Sequence, residues 1–261
     1  MLTAAHRAGV ATALARAERD QVPVSPLTCT WPDIDVIDAY EIQLLNIGAR
    51  VRGGARVIGH KIGLSSPAMQ QMMGVDEPDY GHLLDDMWLD QDRPVPAGRY
   101  LWPRVEVEVA FLLGADLPGA DCTERDVLAA TAALAPALEI IDSRIENWSI
   151  GICDTIADNA SSAGFVLGVD RVAPNEVDRR DIDAVLLRNG EILAQGNSDA
   201  VLGDPATAVA WLARKVAGFG VRLRAGDVVL PGSCTWAIDA RPGDEFVARF
   251  GGLGTVRAVF D

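Results

Sequence analysis

Three glutamates have the clearest capacity for chemistry. Glu106 and Glu108 lie in Arg104-Val-Glu-Val-Glu-Val-Ala110, where strand alternation places both carboxylates on one face and the valines on the other. Glu139 lies inside an apolar run, residues 133–141, that reads as fully buried. A buried carboxylate must be paired, hydrogen-bonded, protonated or metal-bound. Because no Cys or His ligand is nearby, three glutamates suit a hard divalent cation such as Mg²⁺ or Mn²⁺.

The same glutamates also have simpler interpretations. Alternation is the commonest antiparallel pattern, so Glu106 and Glu108 could form the solvated side of a half-buried strand. Against this, the polar face turns apolar directly after Glu108. Glu139 could form a buried salt bridge with Arg144 or Arg104. Spacing alone leaves both the metal site and the salt bridge open.

Two further residues are candidates for proton transfer. Lys61 is one of only two lysines and lies between glycines in Gly59-His-Lys-Ile-Gly63. It is either a strand-surface charge, or a cation for a substrate carboxylate or enolate, or a proton donor. Asp79 lies in an acidic segment, residues 76–86, whose composition is typical of a solvated loop. Asp79 follows a proline, so it could instead be a positioned base.

Two small polar segments are candidates for substrate binding. Asn159-Ala-Ser-Ser-Ala-Gly164 precedes an apolar strand, and Gly232-Ser-Cys-Thr235 has a similar composition. Each segment is either a turn or a set of hydrogen-bond donors for a carboxylate. The candidate binding residues are Asn159, Ser161, Ser162 and Ser233.

Composition excludes several classes of protein. The 261 residues include 23 basic and 37 acidic side chains, a formal net charge of −14, and 49% are hydrophobic. Such a chain has enough apolar mass for a full core, which excludes intrinsic disorder. Because cations are in deficit and only 6% of residues are aromatic, we expect neither nucleic acid nor an anionic membrane as a partner.

Localisation is predicted from what the sequence lacks. Residues 1–20 carry six charged or histidine side chains, so they contain no apolar signal segment. The longest apolar stretch, residues 127–141, is too short and interrupted to span a bilayer. The four cysteines are scattered without a C-x-x-C pair, which fits a reducing compartment. We therefore predict a cytoplasmic protein.

The elements that position these residues change character along the chain. A helix is predicted over residues 2–19, and a second helix after Trp31 buries Ile37, Tyr40, Leu44 and Ile47. From about residue 101, period-two segments dominate, and Asn189-Gly190 predicts a type I′ hairpin. Many strands with few helices between them favour an α+β fold. We divide the chain into a helical N-terminal region, residues 1–98, and a β-rich catalytic domain, residues 99–261.

Five separated motifs, in order along nearly the whole chain, resemble one known family. This is the hydratase/decarboxylase family of meta-cleavage pathways, which degrade aromatic or steroid rings, within the fumarylacetoacetate hydrolase superfamily. The motifs are Gly59-His-Lys-Ile-Gly-Leu, Gly74-Val-Asp-Glu-Pro-Asp-Tyr-Gly81, Pro103-Arg-Val-Glu-Val-Glu-Val-Ala110, Leu138-Glu-Ile-Ile-Asp-Ser-Arg144 and Asp154-Thr-Ile-Ala-Asp-Asn-Ala-Ser-Ser162. Five motifs together are far more specific than any one of them.

The resemblance implies both a fold and a site. The expected fold is a β-rich core of the fumarylacetoacetate hydrolase C-terminal type behind a helical N-terminal region. The expected cofactor is Mg²⁺ or Mn²⁺, held by Glu106, Glu108 and Glu139. The family's active-site lysine and its acidic partner fall on Lys61 and Asp79. Residues 158–162 are expected to line the substrate pocket, and members are typically homo-oligomers.

The resemblance also implies an activity. Trp148-Ser-Ile-Gly-Ile-Cys-Asp-Thr-Ile-Ala favours the hydratase branch, a hydro-lyase that converts 2-hydroxypenta-2,4-dienoate into 4-hydroxy-2-oxopentanoate. The first alternative is decarboxylation of a 2-oxo-3-enedioate of the 4-oxalocrotonate type on the same metal platform, which needs a second cation for the distal carboxylate. The second alternative is a non-catalytic subunit that docks a pathway partner such as an aldolase. Pro231-Gly-Ser-Cys-Thr departs from the family pattern, which leaves the role of Ser233 open.

Overall fold

Helices occupy most of the first fifth of the chain, and strands outnumber helices in the remainder. The computed structural model describes residues 1–261. Its helices are α1 (Ala4–Asp20), α2 (Leu27–Thr30), α3 (Val36–Arg52), α4 (Pro67–Met73), α5 (Glu124–Ala130), α6 (Ile152–Ala157) and α7 (Pro205–Ala217). Its strands are β1 (Val57–Gly63), β2 (Asp79–Leu84), β3 (Trp88–Leu89), β4 (Arg104–Leu113), β5 (Thr131–Ile141), β6 (Ser162–Leu167), β7 (Asp183–Arg188), β8 (Glu191–Asn197), β9 (Val228–Leu230), β10 (Ile238–Asp239), β11 (Glu245–Phe250) and β12 (Gly254–Val259). The predicted α+β class is confirmed.

The two long N-terminal helices pack against each other. Helix α1 begins after Thr3, whose side chain accepts the His6 N–H, and α3 begins after Asp35 with a reciprocal capping pair to Asp38. The predicted buried face of α3 is partly wrong, because Ile37 is 54% exposed. Helix α3 is covered by α1 on one side and α6 on the other, so its buried face is centred elsewhere. The residues of that face are Asp38, Ala39, Tyr40, Ile42, Gln43 and Ile47.

The larger sheet has eight strands and carries all the candidate acids. Seven of its strands follow the order β2-β1-β9-β4-β5-β6-β3, and β10 pairs separately with the start of β4. Most neighbours are antiparallel, but β1 runs parallel to β9 and β3 runs parallel to β6. Strand β2 also contacts β6, although they lie far apart in the strand order. The sheet is therefore strongly curled and brings β1 and β2 towards β5 and β6.

Strand β2 corrects one interpretation of the sequence. Its acidic segment was expected to be a solvated loop, yet all six residues from Asp79 to Leu84 are buried. The acids before and after the strand made the composition resemble a loop. Inside the strand, Tyr80, Leu83 and Leu84 are completely buried, which outweighs the local charge. Asp79 therefore enters the protein interior at the start of a strand.

The smaller sheet has four strands in the order β12-β11-β7-β8, and β11 and β12 pack against β5. The predicted hairpin joins β7 and β8, with a positive φ of 53° at Asn189 and 85° at Gly190. Strand β10 is short and contains only Ile238 and Asp239. The backbone N–H of Cys234 donates instead to the Val107 carbonyl of β4, which holds this segment as a loop.

The predicted division near residue 98 remains a prediction. Strands β1, β2 and β3 precede it and belong to the same sheet as β4.

All four cysteines are free thiols. None of the helices combines the length and apolar character that a bilayer crossing requires.

Candidate active site

Strand pairing brings the three glutamates together. Glu106 of β4 lies directly opposite Glu139 of β5, and Glu108 follows on the same face of β4. One carboxylate oxygen from each residue lies within 4.8 Å of the others. Glu108 and Glu139 are completely buried, and Glu106 is partly buried. Glu106 and Glu108 were singled out by strand alternation and Glu139 by the apolar run around it, and the fold brings the three side chains together.

The hydrogen bonds of these carboxylates leave oxygens free. The Gly232 N–H donates to Oε2 of Glu108 at 2.7 Å, and the Ser162 hydroxyl donates to Oε1 of Glu139 at 2.8 Å. Oε1 of Glu108 is buried without a hydrogen-bond partner. Oε2 of Glu139 has no hydrogen bond either, although the Lys61 ammonium lies 3.4 Å away. Unpartnered buried carboxylate oxygens are rare and need an explanation.

A divalent cation fits this donor set. Burial raises the pKa of Glu106 to about 7, with Lys61 opposing the rise and Glu139 reinforcing it. Burial and the neighbouring glutamates also raise the pKa of Glu108 well above its ordinary value. Both shifts show that the site disfavours three negative charges without compensation. Three oxygen ligands without nitrogen or sulfur match the preference of Mg²⁺, which keeps further positions for water or substrate.

Lys61 reaches the glutamates from the neighbouring part of the curled sheet. Its Nζ lies 3.4 Å from Oε2 of Glu139 and donates to the Ala160 carbonyl at 3.1 Å. Only 3% of the side chain is exposed. Burial alone would lower the pKa of Lys61, but Glu139, Glu106, Asp79 and Glu108 together raise it above its ordinary value. Lys61 is therefore an enclosed cation that stays protonated.

Asp79 lies beside Lys61 because of the register of β1 and β2. Asp79 pairs with Gly63, and Lys61 pairs with Gly81, so both side chains project from one face. A Cβ at Gly63 would overlap Oδ1 of Asp79, so glycine leaves the space that this carboxylate occupies. The Thr155 hydroxyl donates to Oδ2 at 3.3 Å, whereas Oδ1 is buried without a partner. Burial raises the pKa of Asp79, and Lys61 opposes the rise.

A short left-handed turn supplies the other contacts. Asn159, Ala160 and Ser161 have φ values of 58°, 51° and 56°, a conformation that side chains disfavour. The turn directs the Ala160 carbonyl at Lys61 and leaves the buried Ser161 hydroxyl without a hydrogen-bond partner. Ser162 follows and holds Glu139. The structure thus places Ser162 at the acidic cluster, and substrate binding by Ser161 and Ser162 remains a prediction.

Asn159 and Ser233 have their hydrogen-bonding groups engaged elsewhere. The Asn159 amide accepts the His82 N–H at 2.8 Å and donates to the His82 carbonyl at 3.0 Å, so it extends the edge of β2. The Ser233 hydroxyl accepts the Val107 N–H at 3.1 Å, opposite Glu108. Both side chains hold backbone beside the site, and their contact with substrate remains a prediction.

The two arginines considered as partners for Glu139 bind other residues. Arg144 is buried and forms an ion pair with Asp158 at 2.5 Å, and its terminal nitrogen donates to the Asp158 carbonyl at 2.6 Å. Arg104 pairs with Asp239 at 2.9 Å. The expectation of a Glu139 salt bridge to either arginine is wrong, because Lys61 occupies that place.

Sequence reasoning missed several contributors to the site. Thr155 lies in a motif that was recognised, but nothing in the sequence shows that helix α6 directs it at Asp79. The backbone groups of Ala160 and Gly232 carry no side-chain signal at all. Gly232 has a φ of 126°, and a Cβ there would overlap the Ser65 hydroxyl. Its glycine type is the one local sign that the backbone approaches another segment closely.

The curled sheet and its acidic cluster define a class of protein. The chain belongs to the fumarylacetoacetate hydrolase family, because the model of the fumarylacetoacetate hydrolase C-terminal family matches residues 85–261. The fold is also that of 4-oxalocrotonate decarboxylase from Pseudomonas putida G7, solved with magnesium and adipate. That structure has a TM-score of 0.96 and 35% identity, covering 100% of this chain and 99% of the other.

Two relatives within the family are named for a particular reaction. A 2-keto-4-pentenoate hydratase of Paraburkholderia xenovorans strain LB400 is 42% identical over 260 residues, covering 100% of this chain and 97% of the relative. A 2-oxo-hept-4-ene-1,7-dioate hydratase of Escherichia coli is 41% identical over 257 residues, covering 96% of each chain. The resemblance predicted from the five motifs is confirmed.

Proposed function

We propose that this chain is a metal-dependent hydro-lyase that adds water to 2-hydroxypenta-2,4-dienoate, the enol form of 2-keto-4-pentenoate. The product is 4-hydroxy-2-oxopentanoate. The observation that carries the proposal is the convergence of three glutamates with Lys61 and Asp79 in one buried cluster. The hydratase relatives at 41–42% identity over nearly the full chain support the choice of reaction.

Glu106, Glu108 and Glu139 are the proposed ligands of Mg²⁺ or Mn²⁺. When bound, the ion supplies Lewis-acid stabilisation of negative charge on the carboxylate and 2-oxygen of a 2-oxo acid. The protein prepares this position by fixing two of the carboxylates. Gly232 orients Glu108 through its backbone N–H, and Ser162 orients Glu139 through its hydroxyl.

Lys61 is the proposed proton donor and anion-binding cation. Four carboxylates keep its pKa raised, so it enters the reaction protonated. It can attract the substrate carboxylate, deliver a proton to C5 of the dienol and take up the proton that the 2-hydroxyl releases. This ketonisation gives an α,β-unsaturated 2-oxo acid, whose C4 is open to water. The Ala160 carbonyl accepts a hydrogen bond from the Lys61 ammonium and holds it in position.

Asp79 is the proposed base. Thr155 binds one of its oxygens, and the other oxygen is buried without a partner beside the space left by Gly63. Burial raises the pKa of Asp79, which makes it a stronger base than an exposed aspartate. It can take a proton from the water that adds to C4 and pass a proton to C3, which completes the hydration and restores the carboxylate.

Decarboxylation of a 2-oxo-3-enedioate is the second candidate function. It is favoured by the similarity to 4-oxalocrotonate decarboxylase over the whole chain. The two reactions share stabilisation of charge on the 2-oxygen and differ in the bond that breaks. A decarboxylase must in addition bind a carboxylate at the distal end of its substrate.

One assay tests both candidates. The purified chain with Mg²⁺ is given 2-hydroxypenta-2,4-dienoate, and loss of dienol absorbance is followed together with formation of 4-hydroxy-2-oxopentanoate. In parallel, CO₂ release from 4-oxalocrotonate is measured. We expect hydration to dominate, Asp79→Asn to abolish it and Asp86→Asn, an exposed acid of the same segment, to retain it. CO₂ release without hydration would replace the first candidate by the second.

Three associated expectations remain predictions. These are the choice between Mg²⁺ and Mn²⁺, assembly into a homo-oligomer, and a pathway aldolase as partner. Turnover by the isolated chain would exclude the docking-subunit alternative.

A further inference from the structure

One face of β4 runs from the interior of the protein to its surface. Residues two apart on a strand share a face, so Glu108, Glu106 and Arg104 form one row. Their exposure rises along the row: Glu108 is completely buried, Glu106 is partly buried and the Arg104 side chain is 35% exposed. This gradient gives the site a floor at Glu108 and a rim at Arg104, about 6.6 Å beyond Glu106 along the strand.

Arg104 is fixed at the rim without using all its donors. Its Nε donates to Oδ1 of Asp239 at 2.9 Å, and its guanidinium carbon lies 4.3 Å from the centre of the Trp148 ring. Neither terminal nitrogen takes part in a hydrogen bond within the chain. A planar guanidinium with two free terminal nitrogens can bind a carboxylate through paired hydrogen bonds.

The loop that carries Trp148 is strained. Asn147 and Trp148 have φ values of 56° and 53°, a left-handed conformation that a tryptophan in particular disfavours. The indole N–H donates to the Trp102 carbonyl at 3.1 Å, which holds the ring over Arg104. Strained conformations of this kind cluster at ligand-binding sites, where the surrounding structure enforces them.

The other two buried cations discussed above are enclosed by groups of the protein itself. Lys61 is enclosed by Glu139 and the Ala160 carbonyl. Arg144 makes three hydrogen bonds to Asp158 through its backbone and side-chain nitrogens. Of these three cations, Arg104 has the most exposed side chain and two free terminal nitrogens, and it lies on the same strand face as two of the proposed metal ligands.

We propose that Arg104, positioned by Trp148, is a specificity-determining residue that binds the distal carboxylate of a longer 2-oxo-enedioate. The inference rests on the proposed function, because it assumes that the 2-oxo acid end of the substrate lies at Glu106, Glu108 and Glu139. A seven-carbon dioate held there extends further towards the rim than the five-carbon monoacid does. The chain then hydrates dicarboxylate substrates in addition to 2-hydroxypenta-2,4-dienoate.

The test compares two substrates in four proteins. The value of kcat/KM is measured for 2-hydroxypenta-2,4-dienoate and for 2-oxohept-4-ene-1,7-dioate in the wild type, Arg104→Leu, Arg104→Lys and Arg188→Leu. Arg188 is the matched control, because it is similarly exposed and donates to the backbone carbonyl of the same Asp239. A charge-assisted pair contributes about 1.5–3 kcal/mol, so Arg104→Leu should lower kcat/KM for the dioate roughly 10- to 100-fold. Its kcat/KM for the monoacid should change less than about twofold, Arg104→Lys should be intermediate, and Arg188→Leu should leave both values unchanged.

Inhibition gives a second readout that does not depend on hydration of the longer substrate. Adipate and pentanoate compete against 2-hydroxypenta-2,4-dienoate, and we expect Arg104→Leu to weaken inhibition by adipate alone. Equal losses on both substrates and both inhibitors would mean that Arg104 is only structural. A wild type that hydrates the monoacid but rejects the dioate would overturn the inference and leave the proposed function standing. A wild type that hydrates neither substrate would overturn the proposed function itself.

Discussion

Replacing two of the buried carboxylates by amides should make the metal-free protein more stable while abolishing its activity. Without an ion, the site holds four carboxylates, from Asp79, Glu106, Glu108 and Glu139, against the single ammonium of Lys61, a formal charge of −3 when all are ionised. The double variant Glu106→Gln/Glu108→Gln reduces this charge to −1, the same value that a bound dication produces in the wild type. Because both side chains keep their size, the packing of β4 is preserved.

The magnitude follows from the pKa of Glu106. Burial raises it from 4.5 to about 7, so the folded protein binds a proton there that the unfolded chain releases. For a raised carboxyl pKa, stability falls as pH rises from 4.5 through 7, and the penalty above pH 7 is at most about 3 kcal/mol. For a chain of this size, about 3 kcal/mol corresponds to roughly 5–10 °C in Tm.

The assay is thermal unfolding at pH 7.5 in EDTA and in Mg²⁺. Mg²⁺ at 100 times its Kd stabilises the wild type by about 2.7 kcal/mol. Its Tm should therefore rise by roughly 5–10 °C when Mg²⁺ is added. The double variant should already have the higher Tm in EDTA, should not respond to Mg²⁺ and should show no turnover. Asp90→Asn/Asp92→Asn, an exposed acidic pair with the same spacing, is the control and should behave as the wild type. A double variant that is less stable than the metal-free wild type would refute the argument from charge repulsion. Retention of the Mg²⁺ response or of turnover would refute the metal assignment.

Three further predictions concern single residues. Lys61→Met should lower kcat by at least about 100-fold, whereas Lys215→Met, which removes the other lysine from its surface pair with Glu77, should stay within twofold. Gly63→Ala should lower kcat at unchanged overall fold, because its Cβ overlaps Oδ1 of Asp79; circular dichroism and kinetics together test this, and a wild-type rate would contradict it. Burial lowers the pKa of His82 from 6.5 to about 4, so the unfolded chain takes up a proton between these values that the folded protein rejects. The free energy of unfolding should therefore fall by at most about 3 kcal/mol as pH decreases from 6.5 to 4. In His82→Gln, denaturant titrations at several pH values should show a smaller fall in this free energy over the same range.

Part of the site could be predicted because strand geometry is local. The alternation of Glu106 and Glu108 with valines places them on one face whatever the remaining chain does. Glu139 stood out because a carboxylate inside an apolar run needs a partner. Lys61 stood out as one of two lysines. The resemblance of the five motifs then joined these residues into one site, and the structure brings all three glutamates and Lys61 together.

The errors came from contacts between distant segments. Asp79 lies in a segment whose charges are typical of a loop, yet the segment is a buried strand, because its apolar residues are covered by elements that the local sequence does not reveal. Arg144 and Arg104 were plausible partners of Glu139 by proximity in sequence. In the folded protein, Arg144 pairs with Asp158 and Arg104 pairs with Asp239.

The sequence by itself determined the residue types of the chemistry, the α+β class, the shared face of Glu106 and Glu108 and the family. Only the tertiary structure decided that the sheet curls far enough for β1 and β2 to face β5, which places Lys61 at Glu139 and Asp79 beside Lys61. It also decided that a strained turn directs the Ala160 carbonyl at the Lys61 ammonium. The reason is physical: alternation is fixed by neighbouring residues, whereas register, curl and burial depend on pairings between segments far apart in the chain, such as Gly59 of β1 with Val228 of β9.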